Sequence, residues 1–264
     1  MIHSIAHPTD LSPEGTVAFE HALSLALANR CRLDVLHVDE PGEPAGWAKF
    51  PHVRATLQRW GVLPEDAPVD AIRTTTGVEV RKVGIHDHDP IDGMTRYLDE
   101  HRADLIVMAS KGRAGIDRLL NGSVSAGLAL AVRVPTLILG PAARPFVDPA
   151  NGRAGISRIL VPVDHDPDPT EAVSLLEQIA GNLGAELDFV HVGSEPPALP
   201  DGRGRPRTLQ GPVVETLLAE ASGVNLVAMP MAGASGLADA LRGSTTERIV
   251  REATCPVLAL PVAR

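Results

Sequence analysis

Leu105-Ile106-Val107-Met108-Ala109-Ser110-Lys111-Gly112 passes from an apolar run into a polar turn; Gly122-Ser123 follows after nine residues, and Val134-Pro135-Thr136-Leu137-Ile138-Leu139 closes the passage. The same order returns later in the chain. Leu226-Val227-Ala228-Met229-Pro230-Met231-Ala232-Gly233 leads, again after nine residues, to Gly243-Ser244-Thr245 and then to Cys255-Pro256-Val257-Leu258-Ala259-Leu260. Gly112, Gly122 and Pro135 recur as Gly233, Gly243 and Pro256, each 121 residues on. Three landmarks held in one register mark a tandem duplication.

Upstream of these landmarks the repeats match at a different spacing. Ile5, Pro8 and Asp10 stand opposite Ile159, Pro162 and Asp164, and Leu36-His37-Val38 opposite Val190-His191-Val192, all 154 residues apart. The second repeat has therefore lost about 33 residues from its middle. In the first repeat that region carries Val53, Leu57 and Trp60 at i, i+4, i+7, a helical face. Its counterpart, residues 195–206, is rich in Pro and Gly and poor in helix formers. The second repeat is expected to lack one helix.

A length of 264 residues suits two domains, and the repeat places them at 1–141 and 156–264, with the Pro/Gly/Ala-rich stretch 142–155 as linker. Aromatics make up 3% of the chain, so the cores are built from Ala, Val, Leu and Ile. A formal charge of −9 argues against a nucleic-acid-binding surface, which needs a basic stripe. Cys31 and Cys255 sit in apolar surroundings in different repeats and read as buried thiols of a reducing compartment. Without a leader-like or membrane-spanning run, the chain reads as soluble and cytoplasmic.

Strand and helix signals alternate, the pattern of a parallel sheet with crossover helices. Strands are expected at 2–6, 33–38, 78–83, 105–109 and 136–139, and in the second repeat at 159–162, 187–192, 226–229 and 257–260. Ser12-Pro13-Glu14 opens the first helix with a cap residue and a proline at the first helical position. Further helices are expected after Asp89-Pro90, from Ser123, over 170–183, over 213–221 and over 245–253. The fold class is α/β: two tandem, open, doubly wound parallel five-stranded sheets, Rossmann-like, the second shortened. Ligands of such sheets sit beyond the carboxyl ends of the strands, where the named loops fall.

A strand ending in Met108-Ala109-Ser110-Lys111-Gly112 and a helix starting at Gly122-Ser123 offer an anion close-approaching backbone amides, a positive helix end and a hydroxyl. Gly243, Ser244 and Thr245 repeat the offer. A plain tight turn with a capped helix accounts for the same glycines, and repetition by itself shows common descent. At this point Pro8-Thr9-Asp10-Leu11-Ser12, Leu36-His37-Val38, Met108-Ala109-Ser110-Lys111-Gly112, Gly122-Ser123-Val124 and the Val-Pro-Thr-Leu-Ile-Leu ending carry a resemblance. The chain resembles the universal stress protein family over nearly its whole length, as two tandem domains. That family's nucleotide motif is G-2x-G-9x-G-(S/T) after a strand, and the family has both ATP-binding and non-binding branches.

The resemblance implies that Pro8, Thr9, Asp10 and Val38 meet adenosine, while Gly112, Gly122, Ser123 and Val124 hold ribose and phosphates; Met108, Ala109, Lys111 and Arg113 complete the nucleotide-binding set, with ATP and magnesium as the ligand. A weaker second site comprises Pro162, Val163, Asp164, Val192, Met229, Gly233, Gly243, Ser244 and Thr245. Both repeats depart at the motif's first glycine, which is Ala109 in one and Pro230 in the other. Alanine adds one methyl; proline removes an N–H and fixes φ. The second repeat also has Val163 for Thr9 and Ala232 and Ala234 for Lys111 and Arg113, so the first is the better anion site. In the resembled family the fifth strands pair between domains. Residues 136–139 and 257–260 are therefore expected to meet within this chain as a pseudo-dimer, with a further homodimer left open.

No catalytic residue is assigned. The chain lacks GxxxxGK[ST], a strand-linked GxGxxG and G-x-S-x-G, and any ATP hydrolysis is expected to be slow and incidental. His86-Asp87-His88-Asp89 and His165-Asp166-Pro167-Asp168 have the residue types of metal ligands but read as solvated loops before capped helices, so no metal site is assigned. His37 and His191 match across the repeats and read as structural histidines beside the site. Two functions remain: a stress-response sensor or regulator that binds an adenine nucleotide, and a nucleotide-free scaffold for a protein or other ligand.

Overall fold

A strand buried along its whole length needs a layer on each face, and β1 (Ser4–Pro8) is such a strand, with all five residues inside. The computed structural model describes residues 2–42, 46–68, 70–110, 128, 132–181, 184–232 and 245–262. The chain divides into two compact units, Met1–Ala109 with Pro145–Gly155, and Ser110–Arg144 with Ile156–Arg264.

In unit 1, β1, β2 (Arg32–Asp39), β3 (Glu79–His86) and β4 (Leu105–Ala109) run parallel in the order β3-β2-β1-β4. Helices α1 (Pro13–Asn29), α2 (Val53–Arg59), α3 (Ala71–Thr76) and α4 (Pro90–Glu100) connect them. The Ser12 side chain accepts the Gly15 amide at 3.1 Å and Pro13 needs no partner, so α1 starts where the sequence places it. It stops at Arg30, which takes the left-handed conformation (φ 49°). Asp89 caps α4 in the same way, accepting from Ile91 and Asp92 at 2.7 and 3.2 Å. Val53, Leu57 and Trp60 are all buried, as the helical spacing requires. The six-residue α3 is absent from the sequence reading because it is too short to display a period.

The stretch expected as a linker is in fact anchored to unit 1 from residue 145 onward. His21 on α1 takes the Phe146 and Val147 amides on Nε2 at 3.1 and 3.3 Å, and the Phe146 ring meets the imidazole edge-on at 4.5 Å. Ser24 donates to the Gly152 carbonyl at 2.7 Å, and the Trp60 indole N–H to that of Pro149 at 3.1 Å. Gly152 has φ 71°, and a Cβ there would fall 2.3 Å from a Trp60 ring carbon. Its glycine thus serves a turn pressed against an aromatic ring.

Unit 2 holds β5 (Thr136–Leu139), β6 (Arg158–Pro162), β7 (Glu186–Val192), β8 (Arg207–Leu209), β9 (Leu226–Ala232) and β10 (Val257–Val262), in the order β5-β10-β9-β6-β7-β8. Neighbours are parallel except for β5 and β10, which are antiparallel with Ile138 opposite Val257 and Leu137 opposite Leu258. The last strand of the first repeat therefore lies in the second unit, whereas the sequence boundary sets it in the first. Helices α5 (Pro169–Ala180), α6 (Val213–Ala221) and α7 (Thr245–Glu252) cover this sheet. Strand β8 was not expected. Its three residues, between Pro206 and Gly211-Pro212, are too few to alternate, and Arg207 secures it by bonds to Asp188 (2.8 Å) and Glu220 (2.6 Å). Strand β9 runs three residues past the expected end, through Pro230. Its register with β6 stops at Val227, so the missing Pro230 N–H breaks no ladder on that side.

Candidate functional site

In unit 1 the first strand ends at Pro8, level with Leu36 of β2. The β1–β4 register, Ile5 to Leu105 and Ala6 to Ile106, carried two residues further sets Pro8 level with Met108. Pro8, Thr9, Asp10, Val38, Met108 and Ala109 thus gather at the carboxyl ends of β1, β2 and β4. Lys111, Gly112, Arg113, Gly122, Ser123 and Val124 lie outside the described residues, as do Gly233, Gly243 and Ser244 of the second repeat.

The loop after β1 is held at each residue. Thr9 donates its amide to the Leu36 carbonyl at 2.8 Å, and its hydroxyl accepts from Leu11 N at 3.1 Å. Leu11 sits at φ 62°, a costly conformation for a branched side chain. The Asp10 carboxylate accepts both the amide (3.0 Å) and the hydroxyl (2.5 Å) of Ser12, joining the loop to the helix cap. Gly15 lies beneath. A Cβ there would come within 2.8 Å of the Thr9 hydroxyl and 3.1 Å of Asp10.

His37 secures the same loop from β2. Its Nδ1 lies 2.7 Å from the Thr9 carbonyl, which can only accept, so this nitrogen carries the proton. Nε2 lies 3.4 Å from the Asp39 carboxylate. The second repeat builds the same clasp: Val163 N donates to Val190 O at 2.9 Å, and His191 Nδ1 to Val163 O at 3.1 Å. His37 and His191 therefore position backbone.

The described residues expected for a second site lie at the corresponding strand ends and helix start of unit 2. Pro162 pairs with Val190, Val192 with Leu209 and Met229 with Ala259, while Val163 and Asp164 follow β6 and Thr245 opens α7. The two loops differ in polarity. Val163 has no hydroxyl to offer, and the Asp164 side chain is 66% exposed, with its Oδ1 3.8 Å from His191 Nδ1.

Two further histidines in unit 1 were not singled out from sequence. His7 is fully buried in β1, donating through Nδ1 to Val107 O at 2.8 Å, with no partner for Nε2 among the described residues. Burial holds it at about 4 against an ordinary 6.5, and the same cause holds His21 at about 4. A histidine within an apolar strand was the available signal for His7. Burial also raises both thiols, Cys31 and Cys255, to about 11, so neither presents a thiolate at neutral pH. Residues of the two histidine-acid loops are engaged by other protein groups. Asp87 accepts the Asp89 amide at 3.1 Å and pairs with Arg96, and His165 Nε2 lies 2.9 Å from the Glu195 carbonyl. Among the described residues no group of three or more His, Cys, Asp and Glu side chains is placed to hold a metal.

Comparison with known proteins agrees with this architecture. Universal stress proteins of Mycobacterium bovis and Mycobacterium tuberculosis are each 26% identical over 204 residues, 73% of this chain and 65% of theirs. The chain thus spans about 65% of the length of the curated relatives it matches. A universal stress protein from Archaeoglobus fulgidus shares the fold with a TM-score of 0.66 at 20% identity, over 98% of this chain and 96% of that one. One from Pseudomonas aeruginosa does so with a TM-score of 0.65 at 18% identity, over 98% and 93%. The profile of the universal stress protein family matches residues 1–140 and 208–261, well over half of the chain, and the chain belongs to the universal stress protein family.

Proposed function

We propose that this chain is a stress-response sensor or regulator whose first repeat binds ATP or a related adenine nucleotide at the carboxyl ends of β1, β2 and β4. The observation that carries this is the loop Thr9–Asp10–Leu11–Ser12. It is fixed through His37, through the Asp10–Ser12 bonds and through a left-handed Leu11, with the Thr9 and Asp10 side chains packed over Gly15. Such concentrated constraint at a sheet's carboxyl edge suits a ligand platform better than a free connection. Asp10 and Val38 would face adenosine, and the amides near Gly112, Gly122 and Ser123, with Lys111 and Arg113, would meet the phosphates and their magnesium. Binding would change a surface that partners read.

A nucleotide-free role as a binding scaffold is favoured by one observation in the second repeat: Pro230 occupies the first position of the glycine motif and lies within β9. We place the chain in the cytoplasm, in keeping with its unreactive thiols; among the described residues no helix is long and apolar enough to cross a membrane. The antiparallel pairing of β5 with β10 supports reading the two repeats as a pseudo-dimer. The test is the mass of any small molecule released on denaturation, followed by thermal shift with magnesium ATP. Gly122→Val is expected to abolish the shift and Gly243→Val to leave most of it. Equal loss in both overturns the ranking of the repeats, and no shift in the wild type overturns the nucleotide reading.

A further inference from the structure

Beside the Thr9 loop, unit 1 carries a file of rings that the binding motif does not account for. The His37 imidazole, bonded to Thr9, meets Phe50 edge-on at 6.2 Å. Phe50 is fully buried and stacks on Trp47 with centroids 5.4 Å apart and planes 26° apart. Lys82 Nζ stands 5.9 Å from the Phe50 ring centre. Trp47 ends the file at 53% exposure, the most exposed large apolar side chain among the described residues. One indole face lies on Phe50, so its exposure is concentrated on the other. The residue belongs to the short turn Trp47–Lys49 that follows β2, on the carboxyl side of the sheet where the Thr9 loop lies.

We infer that Trp47 is a specificity-determining residue that stacks on the base of the bound ligand and so selects a nucleotide over a simple polyphosphate. The inference rests on the nucleotide reading above and adds to it the feature of the ligand that is recognised. An indole left half in water on a rigid backing is an apolar surface without a partner among the described residues, and a purine ring is the flat, desolvating partner that fits one open face. Phe50 backs the indole plane and meets His37 edge-on, and His37 in turn holds the site loop through Thr9. Lys82, with its Nζ 5.9 Å from the Phe50 ring centre, favours an anionic ligand carrying that base. The second repeat has no such shelf, because residues 195–206 contain no aromatic side chain. The asymmetry falls in the same direction as the loss of cations near Gly233.

The experiment is calorimetric titration of the full chain and its Trp47→Ala and Trp47→Phe variants with magnesium ATP and, separately, with magnesium tripolyphosphate. Trp47→Ala is expected to weaken ATP about ten-fold or more and Trp47→Phe by less, in keeping with base–aromatic stacking. Tripolyphosphate binding should be equal in all three proteins. ATP should also change the tryptophan emission of the wild type and leave that of Trp47→Phe, which retains buried Trp60, unchanged. This optical arm decides the matter if Trp47→Ala does not fold. Wild-type ATP affinity in Trp47→Ala, or an emission change that persists in Trp47→Phe, overturns the stacking role and leaves the nucleotide reading standing. Absence of ATP binding to the wild type overturns that reading, and the shelf's proposed role with it.

Discussion

At the scale of single residues, the histidines divide the work. His37 and His191 hold equivalent carbonyls, those of Thr9 and Val163, and each fixes the loop that leaves the first strand of its repeat. Replacing either by alanine leaves a carbonyl unpaired, so His37→Ala and His191→Ala should each cost about 1–2 kcal/mol in urea unfolding. A cost confined to one of them would show that the repeated clasp is not a repeated anchor. His7 and His21 act through neutrality. Unfolded, each titrates near 6.5; folded, burial holds each at about 4. Between those values the unfolded chain takes up protons that the folded chain refuses. Stability is therefore whole above about pH 6.5 and falls as the pH drops toward 4, by up to roughly 3 kcal/mol for each ring. His21→Ala should be less stable at pH 7, having lost the acceptor for Phe146 and Val147, yet lose less than the wild type between pH 7 and pH 5. Urea midpoints at the two pH values decide this, and identical losses would remove His21 from the acid response.

Among the elements, those with long patterns or strong punctuation were readable. Ser12-Pro13 and Asp89-Pro90 open helices where expected because side-chain caps and prolines act within one turn of the chain. Strand β4 and strand β5 were bounded correctly because each is a buried apolar run between turn signals. Helix α3 and strand β8 escaped, being six and three residues long and dependent on neighbours. Strand β8 in particular exists through β7 and through Arg207, which joins Asp188 and Glu220. Residues 145–155 look like a linker by composition, yet His21, Ser24 and Trp60 convert them into a packed turn. No local rule reads such a segment, because its partners lie on α1 and beside α2, about 90 to 128 residues away.

For the whole molecule, the consequence of β5 lying beside β10 is that the first repeat cut at residue 141 is incomplete. Its fifth strand, four residues long and buried throughout, would lose an antiparallel partner and present bare amides and carbonyls at an apolar edge. A 1–141 fragment is therefore expected to self-associate in size-exclusion chromatography, and Ile138→Pro, which removes a ladder donor opposite Val257, to suppress it. A monodisperse monomeric fragment would show that β5 needs no partner. The sequence by itself determined the duplication and the α/β class, because spacing and apolar runs are properties of the chain alone. Tertiary structure decided which unit receives the fifth strand, that Asp10 is tied to Ser12, that paired histidines hold the loops, and that Trp47 stands open above Phe50. These depend on groups far apart in sequence, whose hydrogen bonds and ring contacts form after burial has brought them together.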